Sequence, residues 1–353
     1  MIKVLGLSLY GPLAASTRYR LEQYIPGLSE YGIGLQIHHL LGDEYLRCRF
    51  RGRKLPLATL IQASYNRLSL LLREQEFDTV ILYAELFPFM PGWLERQLIK
   101  KPYIYDFDDA FYLKYRRGRM RLASSLLGTK FDTVMSGAAV VMAGSHILAD
   151  YSRQHNSNTH YFPTVVDTEH YLPRTDSRGS QVFTVGWIGS PTTVRHLSKL
   201  VKPLSMLGRE GSVRFIVIGG KAPSVPDVDV IEIAWNEQTE IDLINSFDVG
   251  VMPLHDDAFT RGKCAFKLIQ YMACTVPVVA SPVGANIDVV TSEVGVLAAT
   301  SQEWLDALRR LRDHPNIRAD MGCAGRERVL QRYSLHGNLP ILADVIPEIS
   351  KDS

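Results

Sequence analysis

Three stretches of this chain put chemistry-bearing side chains at spacings that let them act together. The first is a carboxylate run, Asp106-Phe107-Asp108-Asp109. As Asp-x-Asp it suits a divalent cation, and an Asp at a strand end also suits a helix cap. Glu85 is a second carboxylate of the same kind. The second stretch is a pair of glycine turns, Gly11-Pro12-Leu13-Ala14-Ala15-Ser16-Thr17-Arg18-Tyr19-Arg20 and Gly186-Trp187-Ile188-Gly189-Ser190-Pro191-Thr192-Thr193. Glycine admits a close backbone approach, Ser and Thr cap helices, and a helix N-terminus favours an anion. Arg18 and Arg20 suit a phosphate or carboxylate, and the Ser190 and Thr192 hydroxyls suit a diphosphate. The third stretch is Val249–Val290, which carries Lys263, Lys267 and Gln270. With a helix starting about Lys263, these three stand at i, i+4 and i+7 and share one face. Two lysines at a helix start beside a strand end are placed to hold phosphate oxygens.

Those residues need a scaffold, and the chain supplies a regular one. Short apolar, β-branched runs (Ile2–Leu9, Gly34–Leu40, Asp78–Tyr83, Pro102–Phe107, Ala139–Gly144) alternate with helical patterns (Thr17–Tyr31, Leu57–Glu74, Gly92–Ile99, Arg119–Ser136). The second half repeats the plan from Val182–Ile188 onward, with helical patterns at Thr193–Leu207, Glu237–Ser246 and Lys263–Ala273. This βαβ alternation predicts parallel sheets covered by helices on both faces, in two doubly wound, Rossmann-like domains facing across a cleft. The domains are expected at 1–165 and 166–335, joined through a Pro- and Thr-rich link at His160–Thr175. A C-terminal helix at 336–353 is expected to pack back on the first domain. Ligands of such sheets bind outside the carboxyl ends of the strands, where all three stretches fall.

A length of 353 residues, 46% hydrophobic and 22% charged, excludes wholesale disorder and a disulfide-stapled miniature. No apolar run approaches the ~20 residues that span a bilayer. The N-terminal MIKVLGLSLY reads as a first buried strand rather than a signal peptide. Cys48, Cys264, Cys274 and Cys323 are scattered, with neither a Cys-x-x-Cys pair nor metal-ligand spacing, which points to a reducing, cytoplasmic setting. Net charge is +2, too little to argue for nucleic acid. The first 170 residues hold 20 Lys and Arg against 16 Asp and Glu. The excess lies in two clusters, Arg47/Arg49/Arg51/Arg53/Lys54 and Lys114/Arg116/Arg117/Arg119/Arg121, read as attraction to an anionic acceptor or acidic lipid, or as solvated surface. Gly-x-Gly-x-x-Gly, Gly-x-Ser-x-Gly, His-Glu-x-x-His and Walker motifs are absent from the sequence. Trp235 follows a strand pattern and reads either as a stacking platform or as a core residue.

The string Lys267–Gly284, KLIQYMACTVPVVASPVG, resembles the signature of family 4 retaining glycosyltransferases of GT-B architecture, the glycosyltransferase group 1 type. HYFPTVVDTEHYLP (160–173), VIGG (217–220) and INSFDVGVMPL (244–254) are similar in kind and order, and TRYRLEQYIPGLSEYGI (17–33) carries the likeness into the first half. The resemblance implies a retaining hexosyltransferase acting from a nucleoside-diphosphate sugar on a hydroxyl acceptor, with no obligatory metal or cofactor. The acceptor is expected to be a glycan or lipid-linked, in polysaccharide or glycoconjugate biosynthesis, with peripheral contact at the inner face of the plasma membrane. Taking the residues together with this resemblance, Gly11, Gly189, Ser190, Trp235, Lys263, Lys267 and Gln270 are expected to bind the nucleotide sugar. Asp108 and Asp109 would contact the acceptor or donor sugar, with Lys263 and Lys267 also catalytic, and Arg18 and Arg20 would bind the acceptor.

The family's Glu-x7-Glu pattern is not kept: its second position is Gln270 and its first falls at or near Gly262. Its usual Arg and Lys for the diphosphate are also missing from Trp187–Thr193, so Lys263 and Lys267 are expected to supply that charge. Two alternatives share the architecture, a nucleotide-sugar 2-epimerase and a degenerate subunit that binds a nucleotide or a partner without chemistry.

Overall fold

A computed structural model describes residues 1–116, 124–173 and 182–351. It divides into two compact units. One comprises Met1–Thr164, Gly262–Cys264 and Asn338–Ser353; the other comprises Val165–Arg261 and Ala265–Gly337.

The first unit is built on a parallel sheet of six strands: β1 (Ile2–Tyr10), β2 (Ile33–Leu41), β3 (Thr79–Tyr83), β4 (Tyr103–Phe107), β5 (Val140–Ala143) and β6 (Thr159–Tyr161). Their order is β2-β1-β3-β4-β5-β6. All residues of β3, β4 and β5 are buried, which is why these strands read as unbroken apolar runs rather than alternating ones. Removing one such side chain, Leu82→Ala for example, is expected to cost about 2–5 kcal/mol. Within this unit Leu339, from the helix Leu335–Ser350, fills the space that a Cβ on Gly27 would take.

The second unit repeats the plan with β7 (Phe183–Ile188), β8 (Val213–Ile218), β9 (Asp229–Ile233), β10 (Val249–Met252), β11 (Val278–Ala280) and β12 (Gly295–Leu297), ordered β12-β11-β10-β7-β8-β9. Trp187, Phe215, Leu204, Val251, Trp304 and Leu308 belong to one continuous core packed between its sheet and helices.

The strand orders locate the ligand-binding ends. Counted from its own first strand, the second sheet has the 3-2-1-4-5-6 order of dinucleotide-binding folds, and its winding reverses between β7 and β10. The first sheet has the flavodoxin-type 2-1-3-4-5 order with one more strand, and reverses between β1 and β3.

Three local expectations are corrected. No helix starts at Lys263: a 3-10 turn ends at Gly262, Ala265 takes a left-handed backbone (φ 55°), and the helix runs Phe266–Ala273. The helix expected from Thr193 is a 3-10 helix over Val194–Leu200 followed by an α-helix over Val201–Glu210. Helices at Asp43–Phe50 and His146–Arg153, and strand β6, were not expected, although the second of these helices does carry a helical period. Of the pattern at Arg119–Ser136, residues 117–123 lie outside the described ones; beyond them run helices Ser124–Leu127 and Lys130–Gly137.

Candidate functional site

In the second unit, β7 ends at Ile188 and the chain turns at Gly189. A Cβ there would run into the indole ring of Trp187, so only glycine lets the loop lie flat on that ring. The Gly189 N–H donates to Ile218 O (3.0 Å) and the Ser190 N–H to Thr193 Oγ1 (3.2 Å). The Thr193 hydroxyl in turn donates to Ser190 O (2.9 Å). The loop is therefore closed by Thr193, and neither Ser190 nor Thr192 caps the helix that follows. Both loop N–H groups are engaged internally, so the groups facing outward are the Ser190 and Thr192 hydroxyls, 2.8 Å apart.

Lys267 stands in the first turn of the helix Phe266–Ala273, its ammonium 5.7 Å from the centroid of that same Trp187 ring. The Ile188 N–H donates to the Tyr271 hydroxyl (2.9 Å), which docks this helix against the end of β7. Lys267, Trp187, Gly189 and Ser190 thus converge at the point where the sheet's winding reverses. On the β10 side, the His255 N–H donates to Nδ1 of buried His196 (3.1 Å), and the Thr260 hydroxyl holds His255 O (2.6 Å). Sequence reasoning missed these two histidines. The available signal was that His255 lies in the loop just past an apolar strand, three residues beyond Met252.

Gln270 is on the same helix but buried, its amide donating to the Tyr171 hydroxyl (2.8 Å) and to Glu240 Oε1 (2.7 Å). Tyr171 and the Trp235 indole N–H also donate to Glu240. Gln270 and Trp235, expected at the nucleotide sugar, are here joined in one network around a buried carboxylate. The shared face of Lys263, Lys267 and Gln270 is likewise not found, because Lys263 precedes the helix.

In the first unit, the four-residue carboxylate run divides sharply. Asp106 is buried and gripped by the Arg20 guanidinium through both oxygens (2.9 and 2.6 Å). Arg20 also donates to Phe162 O (2.7 Å) and Thr164 Oγ1 (3.4 Å). Burial opposes its charge, but Asp106 outweighs that and raises its pKa. With these donors engaged and its side chain enclosed, Arg20, expected at the acceptor, ties the helix Ala15–Arg20 to β4. Arg18 is also buried, donating to Pro12 O. The loop after β1 is held by Asp43, whose carboxylate accepts from the Leu13 N–H (2.9 Å) and occupies the space beside Gly11. Ala14, with no side-chain bond, is the N-cap there; Thr17 lies inside the helix and donates to Tyr10 O (2.9 Å).

Asp108 and Asp109 are half-buried. Tyr83, at the end of β3, donates to Asp108, and the Asp108 carbonyl accepts from the Cys264 thiol (2.8 Å). Burial, then the Asp109 charge, pushes Asp108 up to about 6. Asp109 accepts from Lys263 Nζ (3.2 Å). Burial works against the Lys263 charge, and Asp109 more than restores it. The sequence did not single out Tyr83 or Cys264. Glu85 is enclosed by Lys130 (2.9 Å), Lys114 and the Tyr115 hydroxyl (2.9 Å). Burial would raise its pKa, but the two lysines outweigh it and hold the carboxyl low. Lys130 also meets Glu95 (2.9 Å), which burial pushes up to about 7. Each acid of the Asp-x-Asp run thus has a hydrogen-bonding partner inside the unit. Among the described residues, no group of three or more His, Cys, Asp or Glu is arranged to hold a metal ion. All four cysteines are free thiols, and among the described residues no helix is long and apolar enough to cross a membrane.

The pair of six-stranded parallel sheets defines the class of fold as GT-B. The chain superposes over its whole length on the whole of sucrose-phosphate synthase from Thermosynechococcus elongatus, with a TM-score of 0.74 and 15% identity. It superposes over 98% of its length on the whole of HepE from Anabaena in complex with UDP (TM-score 0.70, 14% identity). In sequence, residues 181–314 match the family model described as glycosyl transferases group 1. D-inositol 3-phosphate glycosyltransferase from Saccharomonospora viridis is 34% identical over 113 residues, 30% of this chain and 25% of that protein. The chain thus spans a quarter of the length of that relative.

Proposed function

We propose that this chain is a glycosyltransferase of the family 4 retaining type, moving a hexosyl unit from a nucleoside-diphosphate sugar to the hydroxyl of a glycan or lipid-linked acceptor. Polysaccharide or glycoconjugate assembly is the setting we favour. One observation carries the reading. The segment matched by the glycosyl transferases group 1 model contains the turn between β7 and β10, where Lys267, Trp187, Gly189 and the Ser190 and Thr192 hydroxyls meet. That place, at the winding reversal of a parallel sheet, is where such sheets take phosphorylated ligands. HepE, which shares the fold, was solved with UDP and with UDP-glucose.

In this reading the diphosphate lies against the Gly189–Thr192 turn. Departure of the sugar leaves negative charge on the diphosphate, and the Lys267 ammonium stabilises it electrostatically. Of the two outward hydroxyls, which bond to each other, the one whose proton is left over donates to its oxygens. In the first unit, Asp108 and Asp109 contact sugar hydroxyls. Asp108, with its raised pKa, exchanges a proton near neutral pH. Lys263 holds the Asp109 carboxylate in place. No covalent nucleophile is required of the chain, and no metal or cofactor enters the reading.

A second reading, a degenerate subunit that binds a nucleotide without chemistry, is favoured by Gln270. It stands where the family has a carboxylate, and its amide is engaged with Tyr171 and Glu240. Thermal shift against UDP, GDP, ADP and TDP, followed by product analysis with the matching sugar donor, separates the readings. Transfer with the donor's anomeric configuration kept supports the first, and binding without turnover supports the second. A midpoint unmoved by every nucleotide contradicts both, because a ligand that binds the native state raises it.

A further inference from the structure

We propose that the helix Leu57–Leu71 and the basic segment before it form a docking surface for an anionic lipid bilayer. This inference does not depend on the reaction proposed above.

The helix has an outer face that its own unit leaves uncovered. Leu57, Ile61, Tyr65, Leu68 and Leu72, the last at its C-cap, are between 39% and 86% exposed. At 100° per residue they fall within an arc of about 80°, one stripe some 20 Å long. Their rotation about the helix axis is fixed from the other side. Arg67 is fully buried, its Nη2 donating to Ser8 O and His38 O (both 2.8 Å), and Leu71 is buried beside it. The stripe therefore cannot roll inward without breaking those bonds. Its exposed area, on the order of several hundred Å², is comparable to the largest apolar patch of a typical monomer, a patch that is often functional.

Charge decides what covers it. Arg47, Arg49, Arg51, Arg53 and Lys54 are all exposed and run into the helix start, with exposed Phe50 among them. None of the five forms an ion pair among the described residues. Of the nearby acids, Asp43 accepts from Leu13 N and Glu44 from the Cys48 thiol. The other basic cluster behaves differently: Lys114 is paired with Glu85, Arg116 is paired with Asp132, and Arg117, Arg119 and Arg121 lie outside the described residues. An uncompensated row of cations leading into an apolar stripe is the pattern of a helix lying in the headgroup plane, with its apolar side in the acyl boundary. A second copy of the chain would bring five more like charges against the first five.

The test is co-sedimentation of the full chain with vesicles containing phosphatidylglycerol, against vesicles of phosphatidylcholine alone. The expected result is binding to the anionic vesicles only, weakened by salt. Leu57→Glu, Ile61→Glu and Leu72→Glu combined, or Arg47→Gln, Arg49→Gln, Arg51→Gln and Arg53→Gln combined, should each lower it by about tenfold or more. Hydrogen exchange on the unaltered chain gives a readout free of folding effects: amides over 47–72 should slow when the anionic vesicles are present. Equal binding to both vesicle types, no binding, or no change in exchange over that segment would overturn the proposal. So would a stable dimer that dissociates in Ile61→Glu without any vesicle binding.

Discussion

The carboxyl ends of the two sheets are finished with different chemistry. In the first unit they carry acids whose charges are met internally: Asp106 by Arg20, Asp109 by Lys263 and Glu85 by Lys130. In the second unit, the end of β7 carries a flat glycine turn, two outward hydroxyls and a lysine over an indole ring. Similar windings thus end in a charge-compensated cluster in one unit and a glycine turn with exposed hydroxyls in the other. The fully buried pairs Asp106–Arg20 and Glu85–Lys130 mostly hold structure, because removing one partner strands the other.

Arg20→Ala gives the largest expected effect. It leaves Asp106 buried and unpaired, at a cost of about 3–5 kcal/mol in urea unfolding. Nucleotide affinity of the fraction still folded should be unchanged; a selective loss of affinity would break the comparison.

Next is the pH dependence of Glu95. Its folded pKa, about 7, lies above its ordinary 4.5. The stability tied to its protonated form is present below pH 4.5 and lost as pH rises through 7, on the order of a few kcal/mol. Glu95→Gln should flatten unfolding stability over that window, and an unchanged slope would show that the acid is compensated more fully than its surroundings imply.

The smallest effect belongs to Trp235→Phe, which keeps an aromatic ring but removes the indole N–H from Glu240 and part of the ring surface. About 1 kcal/mol of stability should be lost. Unchanged nucleotide affinity would fix Trp235 as part of the Glu240 network. A large drop would restore it as a platform for the base.

Both sheets were legible in the sequence, because fully buried parallel strands are continuous apolar runs that few other structures share. The glycine turn at 189 was legible too, since its position after a strand is a local property. What failed depended on long-range partners. Lys263 and Lys267 fit a helical spacing, but the left-handed Ala265 ends that helix before it reaches Lys263. Arg20 resembles a ligand-binding arginine until Asp106, 86 residues away, is seen to occupy it. Gln270 was expected at the nucleotide sugar from its place in the Glu-x7-Glu pattern, and nothing local shows that its buried partner is Glu240, 30 residues earlier.

The central claim, that a nucleoside diphosphate sits on the Gly189–Thr192 turn under Lys267, is tested most directly by titration calorimetry. The nucleotide that gives the largest thermal shift would be titrated into the parent chain and into Lys267→Ala. The account predicts at least a tenfold weaker Kd, about 1.4 kcal/mol, in a variant that still folds. Equal affinity in the two chains would contradict it.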